Sequence, residues 1–201
     1  MTEMAQEDRR ARRSAETRRA LVAAARNLFV ERGYTAVSTG DIADAAGVTR
    51  NSIYYHFPNK ESIFRAVYED VEAELASRVI PAALAEPTAQ RQIEVACKVF
   101  LDGCLDPAVA RVSVLEAPGV LGFEQMREID NDNYLGVLRQ GIRAAIASGE
   151  VVALPADTLA SMLIGALDEA ALLIATATDR DQARKDAGNV ARALINGLFT
   201  A

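Results

Sequence analysis

Residues 39–53 read Thr39-Gly40-Asp41-Ile42-Ala43-Asp44-Ala45-Ala46-Gly47-Val48-Thr49-Arg50-Asn51-Ser52-Ile53. This is the spacing of two short helices joined by a tight turn. Where such helices cross only a small side chain fits, and Ala43 stands there. Four residues on, the turn needs a residue that tolerates positive φ, which Gly47 does. Ile42, Ala46, Val48 and Ile53 fall on the inward faces and clamp the second helix against the first. Arg50, Asn51, Ser52, Tyr54 and Tyr55 are left projecting outward. Arg and Asn pair bidentately with guanine and adenine edges, whereas Ser, Tyr and Lys suit phosphates. An ordinary helical hairpin with a solvated polar face has the same spacing, so the pattern alone leaves both readings open.

Outward from this stretch the periodicity stays helical, and nothing alternates long enough to make a strand. A helix is expected over 14–32, with Leu21, Ala24, Ala25, Leu28 and Phe29 on one face and Gly33 as its stop. Asn59 is a natural N-cap for a long helix carrying Ile63, Phe64, Val67, Tyr68, Val71 and Leu75 as a stripe. Pro81 and Pro87 are expected to close it. Thr88 caps the next helix, with Ile93, Cys97, Phe100, Leu101 and Cys104. Asp106-Pro107 opens a short helix that ends at Pro118-Gly119. One long helix should run from Gly122 to Ser148, another from Pro155 to Ala175. A last one is capped by Asp179 with Gln182.

The net charge of −6 hides an asymmetry: residues 1–60 carry ten Lys/Arg against seven Asp/Glu, residues 61–201 twelve against twenty-one. A basic end on an acidic body suits a protein that turns one end to a polyanion. The first 20 residues lack an apolar signal core. No apolar run reaches the roughly 18–20 residues of a membrane span, the longest being broken by Asp168 and Glu169. A cytoplasmic protein is therefore expected. Cys97 and Cys104, on one helix, lie about 10 Å apart along its axis, too far for the Cα separation of about 7 Å that a disulfide tolerates. Two buried small side chains are the expectation. With one His in the chain, neither a zinc site nor a Cys–His nucleophile is supported.

The chain resembles the TetR-type transcriptional repressors. The resemblance runs from Leu28-Phe29-Val30-Glu31-Arg32-Gly33-Tyr34 through Thr35-Ala36-Val37-Ser38-Thr39 to Val48-Thr49-Arg50-Asn51-Ser52-Ile53-Tyr54-Tyr55-His56-Phe57-Pro58-Asn59-Lys60-Glu61. Its Tyr-Tyr-His-Phe-x-x-Lys portion is the most specific part. The resemblance implies that Thr39, at a helix start, bonds a phosphate. It puts Thr49, Arg50, Asn51 and Ser52 in the major groove and Tyr54 on a base or sugar–phosphate. It puts Tyr55 and His56 on the backbone and Lys60 on a phosphate. Against these stand plain alternatives: Tyr54 as half-buried packing, His56 as a solvent-exposed side chain. Gly40 departs from the polar residue often found at its position, so one groove-edge contact is missing. The Arg9–Arg13 run is either an arm to a minor groove or a solvated tail.

The resemblance also implies that two C-terminal helices pair across a two-fold axis, with Leu163, Leu167, Leu194 and Leu198 at the dimer interface. It places a ligand cavity among the central helices, where Phe100, Cys104, Leu115, Phe123, Met126, Tyr134 and Met162 are the candidates; plain core is the alternative for each. Asp168 and Glu169 need partners in an interface, a pocket or at a helix exit.

The expected architecture is thus all-α with about nine helices. Residues 1–13 form a flexible basic arm, 14–60 a three-helix helix-turn-helix DNA-binding domain, and 61–201 a helical ligand-binding and dimerisation domain. The expected function is a ligand-responsive transcription regulator, most often a repressor in this family. It would bind a pseudo-palindromic double-stranded DNA operator as a homodimer and be released by a small-molecule effector. No catalytic residue, metal, cofactor or membrane partner is expected. A helical adaptor whose head contacts protein rather than DNA is the competing reading. An enzyme lacks a nucleophile–base pair, a metal cluster or a glycine-rich phosphate loop to work with.

Overall fold

A computed structural model of the chain describes residues 2–199, without the side chains of residues 2–5, 7, 132 and 134. Among the described residues there are ten α-helices and no β-strand; one isolated antiparallel bridge pairs Val151 with Phe199. The chain divides into two compact units, residues 1–69 and 70–201.

The first unit holds α1 (Thr2–Arg32), α2 (Thr39–Ala46), α3 (Arg50–His56) and the start of α4 (Lys60–Leu84). α1 begins well before the expected Ser14. No Pro or Gly interrupts residues 2–13, and their Ala, Arg, Glu and Gln are good helix formers. The stretch set apart as an arm is therefore helical from Thr2, with Arg9, Arg10, Arg12 and Arg13 exposed. The core of this unit is Leu21, Ala25, Phe29, Ile42, Ala43, Ile53, Ile63 and Phe64, none of them accessible to solvent. Phe29, Tyr34 and Phe64 form a three-ring cluster with centroids 5.2–5.7 Å apart.

The second unit contains the rest of α4, α5 (Ala89–Gly103), α6 (Ala117–Val120), α7 (Gly122–Asp130), α8 (Gly136–Ala147), α9 (Ala156–Thr176) and α10 (Arg180–Asn196). Three expected boundaries move. α4 continues through Pro81 to Leu84: an exposed Pro costs one backbone hydrogen bond but is tolerated near a helix end. The segment opened by Asp106 is π-wound over Val109–Glu116 and runs on through Pro118, so that proline is a first-turn residue of α6. The long helix over 122–148 is two α-helices, α7 and α8, joined by a π-turn at Asn131–Leu135. No Pro or Gly falls within Asn131–Leu135 to mark a boundary, and a single π-turn inside a helix carries no breaker signal of its own. Thr88 and Asp179 cap α5 and α10 as their positions suggest, accepting from Arg91 N at 3.3 Å and Gln182 N at 2.9 Å.

α10 packs on α5 and α9, and α9 on α8 and the first π-wound segment. Ile93, Cys97, Ile142, Ala160 and Ile195 form the buried centre. Contrary to the expectation of no span-length apolar run, α9 is long and apolar enough to cross a membrane by length and composition alone. Asp168 and Glu169 lie within it.

Candidate nucleic-acid interface

Both helices of the helix-turn-helix are closed by hydrogen-bonded caps. Ser38 is the N-cap of α2: its Oγ accepts from Asp41 N at 3.1 Å, while the Asp41 carboxylate accepts from Ser38 N at 2.8 Å. The Ser38 hydroxyl also donates to that carboxylate at 2.5 Å. These bonds to Ser38 hold the Asp41 carboxyl below its ordinary pKa. Gly47 ends α2 at φ +68°, the left-handed region that favours glycine. Thr49 then caps α3, its Oγ1 accepting from Ser52 N at 3.3 Å. Ile42, Ala43 and Ile53 are fully buried, and Ala46 and Val48 half-buried.

This frame leaves Thr49, Arg50, Asn51, Tyr54 and Tyr55 exposed on one short helix and its cap, with Ser52 and His56 half-buried. Tyr55 is 72% exposed. It stands edge-on to the His56 ring, with centroids 5.0 Å apart. Tyr54 is not core packing: it is 58% exposed and its Oη lies 3.4 Å from Thr39 Oγ1, so Thr39 and Tyr54 share one surface of α2 and α3.

Lys60 sits differently from what its motif position implies. Its ammonium donates to the carbonyls of Tyr34 and Val37, both at 2.9 Å, and lies 4.0 Å from the Tyr34 ring centroid. Two of its three protons are thus committed inside the unit. Arg50 also departs from an outstretched pose, because its guanidinium lies against Gly40. Neither contact is readable from spacing, since each joins residues on different helices or loops. Arg18, which the sequence does not single out, stacks its guanidinium 5.0 Å from the Phe57 ring centroid and braces the end of α3.

In the second unit an apolar cavity of about 90 Å³ lies among α4, α5, α8 and α9. Ile80, Phe100 and Leu138 are among its walls, and Gln92 and Asp168 are its polar groups. Desolvation by these surroundings raises the Asp168 carboxyl, with the Arg127 charge offsetting part, although the residue still reaches solvent. Of the sequence candidates whose side chains are described, only Phe100 lines it. Cys104 is buried outside it, its thiol directed at the Phe100 carbonyl at 3.4 Å. Leu115, Phe123 and Met162 are exposed, and Met126 is half-buried outside the cavity. Tyr134 lies outside the described side chains. Burial drives both thiols, Cys97 and Cys104, up to about 12.

A second apolar hollow of about 670 Å³ runs between α9 and α10. Leu163, Leu167 and Leu194 line it, together with Glu169, Leu173 and Val190. Leu198, half-buried, is not in its wall; its carbonyl accepts from Val152 N at 3.1 Å. The two acids that interrupt the apolar run of α9 thus go to different places: Asp168 to the inner cavity, Glu169 to the outer hollow.

A capped helix-turn-helix with an exposed polar second helix, beside an all-helical unit, defines a helix-turn-helix transcription regulator. Residues 21–67 match the family described as bacterial regulatory proteins, tetR family, and residues 91–198 match the tetracyclin repressor-like C-terminal domain. The chain belongs to the TetR family of DNA-binding transcription regulators and is not an enzyme. It is similar to the Transposon Tn10 TetC protein of Escherichia coli, 27% identical over 149 residues covering 74% of this chain and 75% of that one. It is also similar to the HTH-type transcriptional regulator CymR of Pseudomonas putida, 31% identical over 64% of this chain and 68% of that one. Among solved structures, a TetR-family regulator from Pectobacterium atrosepticum matches with a TM-score of 0.81 at 29% identity, covering 94% of this chain and 97% of that one. FadR from Bacillus subtilis, solved in complex with stearoyl-CoA, matches with a TM-score of 0.72 at 25% identity over 88% and 96% of the two chains.

Proposed function

We propose that this regulator is a cytoplasmic repressor that binds a pseudo-palindromic operator as a homodimer and leaves it when a small apolar effector binds. The observation that carries the reading is the exposed set Thr49, Arg50, Asn51, Tyr54 and Tyr55 on a helix whose caps are all internally satisfied. A rigid frame lowers the entropy cost of docking a helix in a groove. Asn51 and Ser52 are the proposed base-reading side chains. Thr39, Tyr54, Tyr55 and His56 are the proposed backbone contacts, and Thr49 is the residue that seats α3 at the groove. A two-fold dimer presents its recognition helices in symmetric pairs, so the operator should be an inverted repeat.

Release needs an effector that favours one conformation over another. At about 90 Å³ the inner cavity is smaller than the roughly 150 Å³ void that admits benzene. An effector larger than that fits only a widened state, which supplies the differential affinity. α4 lines the cavity with Val79, Ile80, Ala83 and Leu84 and begins at Lys60 in the other unit, so it is the proposed lever. A 100-fold loss of operator affinity requires a coupling of only about 2.7 kcal/mol. The test is footprinting on genomic DNA from the source organism. Protection of an inverted repeat, with Asn51→Ala relaxing its base preference, is expected; protection of no preferred site overturns the reading.

A further inference from the structure

Gly40 lies in the first turn of α2 and is buried, although it has no side chain to bury. What covers it is Arg50. A Cβ built on Gly40 would stand 2.8 Å from Arg50 Nη2 and 3.1 Å from both Cζ and Nε. The guanidinium therefore occupies the volume that a side chain at position 40 would fill. Arg50 is the first residue of α3, and this pose draws its charged end back across α2.

The pose has an electrostatic consequence. Among the described residues Arg50 makes no ion pair and no hydrogen bond. Asp41, the acid of the same turn, is committed to Ser38. A cation beside the first turn of a helix also faces the positive end of the helix dipole, a mild repulsion of some tenths of a kcal/mol. The guanidinium rests in the space that Gly40 leaves open, and the residue is exposed to solvent. One anion would satisfy both the guanidinium and the free N–H groups of the turn. On a duplex the available anion is a backbone phosphate, which Thr39, adjoining Gly40, is also placed to meet.

Resting on the DNA-binding reading above, we propose that Gly40 is a specificity-determining residue. By leaving its side-chain volume empty it keeps Arg50 on α2, where Arg50 engages a backbone phosphate instead of reading a base. Any side chain at position 40 would displace the guanidinium, and the displaced Arg50 would reach the base edges beside Asn51. The contact expelled is the end of a flexible side chain, so the exchange needs no backbone movement.

The test is selection of preferred duplexes from a random library, followed by salt titration of affinity. The proteins are the full-length chain, Gly40→Ala, Arg50→Ala, Arg50→Lys and Gly40→Ala/Arg50→Ala, each checked for helix content by circular dichroism. Arg50→Ala is expected to weaken all duplexes alike, leave the selected consensus unchanged and lower the salt slope by about 0.9 per half-site. Arg50→Lys should keep that slope and the consensus. Gly40→Ala should gain a preference of tenfold or more at one position of each half-site, and the double variant should lose it. The proposal is overturned if Arg50→Ala relaxes the consensus of the wild-type protein, or if the Gly40→Ala change persists without Arg50. A wild-type chain that selects no sequence at all overturns both this and the DNA-binding reading, whereas the two preceding outcomes overturn this proposal alone.

Discussion

The Lys60 ammonium donates to two backbone carbonyls and stands over the Tyr34 ring, so its first effect is on the first unit's own stability. Hydrogen bonds to charged groups contribute about 1.5–3 kcal/mol, and removing the donor leaves the Tyr34 and Val37 carbonyls without it. Lys60→Met is expected to cost about 2 kcal/mol, read as a lowered urea midpoint of the full chain at unchanged m. Its operator salt slope should fall by less than one unit. An unchanged midpoint with a full unit of slope lost would return Lys60 to a phosphate. The cysteines carry a second residue-scale prediction. Thiols pushed up to about 12 are almost wholly protonated at pH 8, and only the thiolate reacts with alkylating agents. Iodoacetamide should label Cys97 and Cys104 only after unfolding, as followed by intact mass; native labelling within minutes would contradict their burial.

At the scale of elements, the turn between Val37 and Asp41 ties its stability to acid. The Asp41 carboxyl is held below its ordinary range by Ser38. Its contribution is thus present above the unfolded carboxylate pKa and is lost as pH falls through the lower native value. Ser38→Ala removes both the cap and the cause of that shift. Losing the cap should cost about 1 kcal/mol at either pH, because that bond does not titrate, and the part that depends on the Asp41 carboxylate should make the total cost smaller in strong acid than at neutral pH. Thermal melts at pH 7 and at pH 2.5 check this, and an equal cost at both would refute it. These local devices explain what was legible in advance: Ser38, Gly47 and Thr49 act on neighbours within a few residues, so their roles follow from order in the chain. The π-turn at Asn131–Leu135 was not legible, because it contains no Pro or Gly and helix continues on both sides of it. Pro81 misled for the converse reason, a strong breaker signal outweighed by a helix already held on both sides of it.

At the scale of the whole molecule, the structure puts Leu163, Leu167 and Leu194 of the expected dimer face along one hollow, and of the expected cavity residues with described side chains it puts Phe100 alone in the inner cavity wall. Phe123 at 67% and Met162 at 70% exposure show that a bulky apolar side chain need not face inward. The cavity wall is drawn from four helices, a convergence that no single stretch encodes. The apolar density of α9 and α10 was legible in the sequence, while their role as a face between copies came only from the family resemblance. Met162, Leu172, Leu173, Val190 and Leu194 are all at least 40% exposed there. Leu173, Val190 and Leu194 line one hollow there, and a contiguous exposed apolar surface is uncommon on a protein that stays single.

That face gives the prediction that bears on assembly. Leu194 is 52% exposed and lines the hollow between α9 and α10. Covering it with a second copy would remove the remaining half of its surface from water, about 1 kcal/mol for each of the two copies by area. Leu194→Glu substitutes a carboxylate, and two would then meet near the axis with Glu169 already in the same hollow. Desolvating a charge costs several kcal/mol, and like charges add to it, so the dimer constant should weaken at least 100-fold. The substitution touches an exposed side chain of the single chain, so helix content should be kept. Sedimentation at micromolar concentration is expected to show a wild-type dimer and a folded Leu194→Glu monomer. Operator affinity should fall with dimerisation, since a monomer holds one half-site at a time. Met162→Glu on the opposite helix should act in the same direction if both helices form one face. A Leu194→Glu protein that stays dimeric would show that the copies meet elsewhere, and a monomeric wild-type chain would remove the need for an inverted repeat.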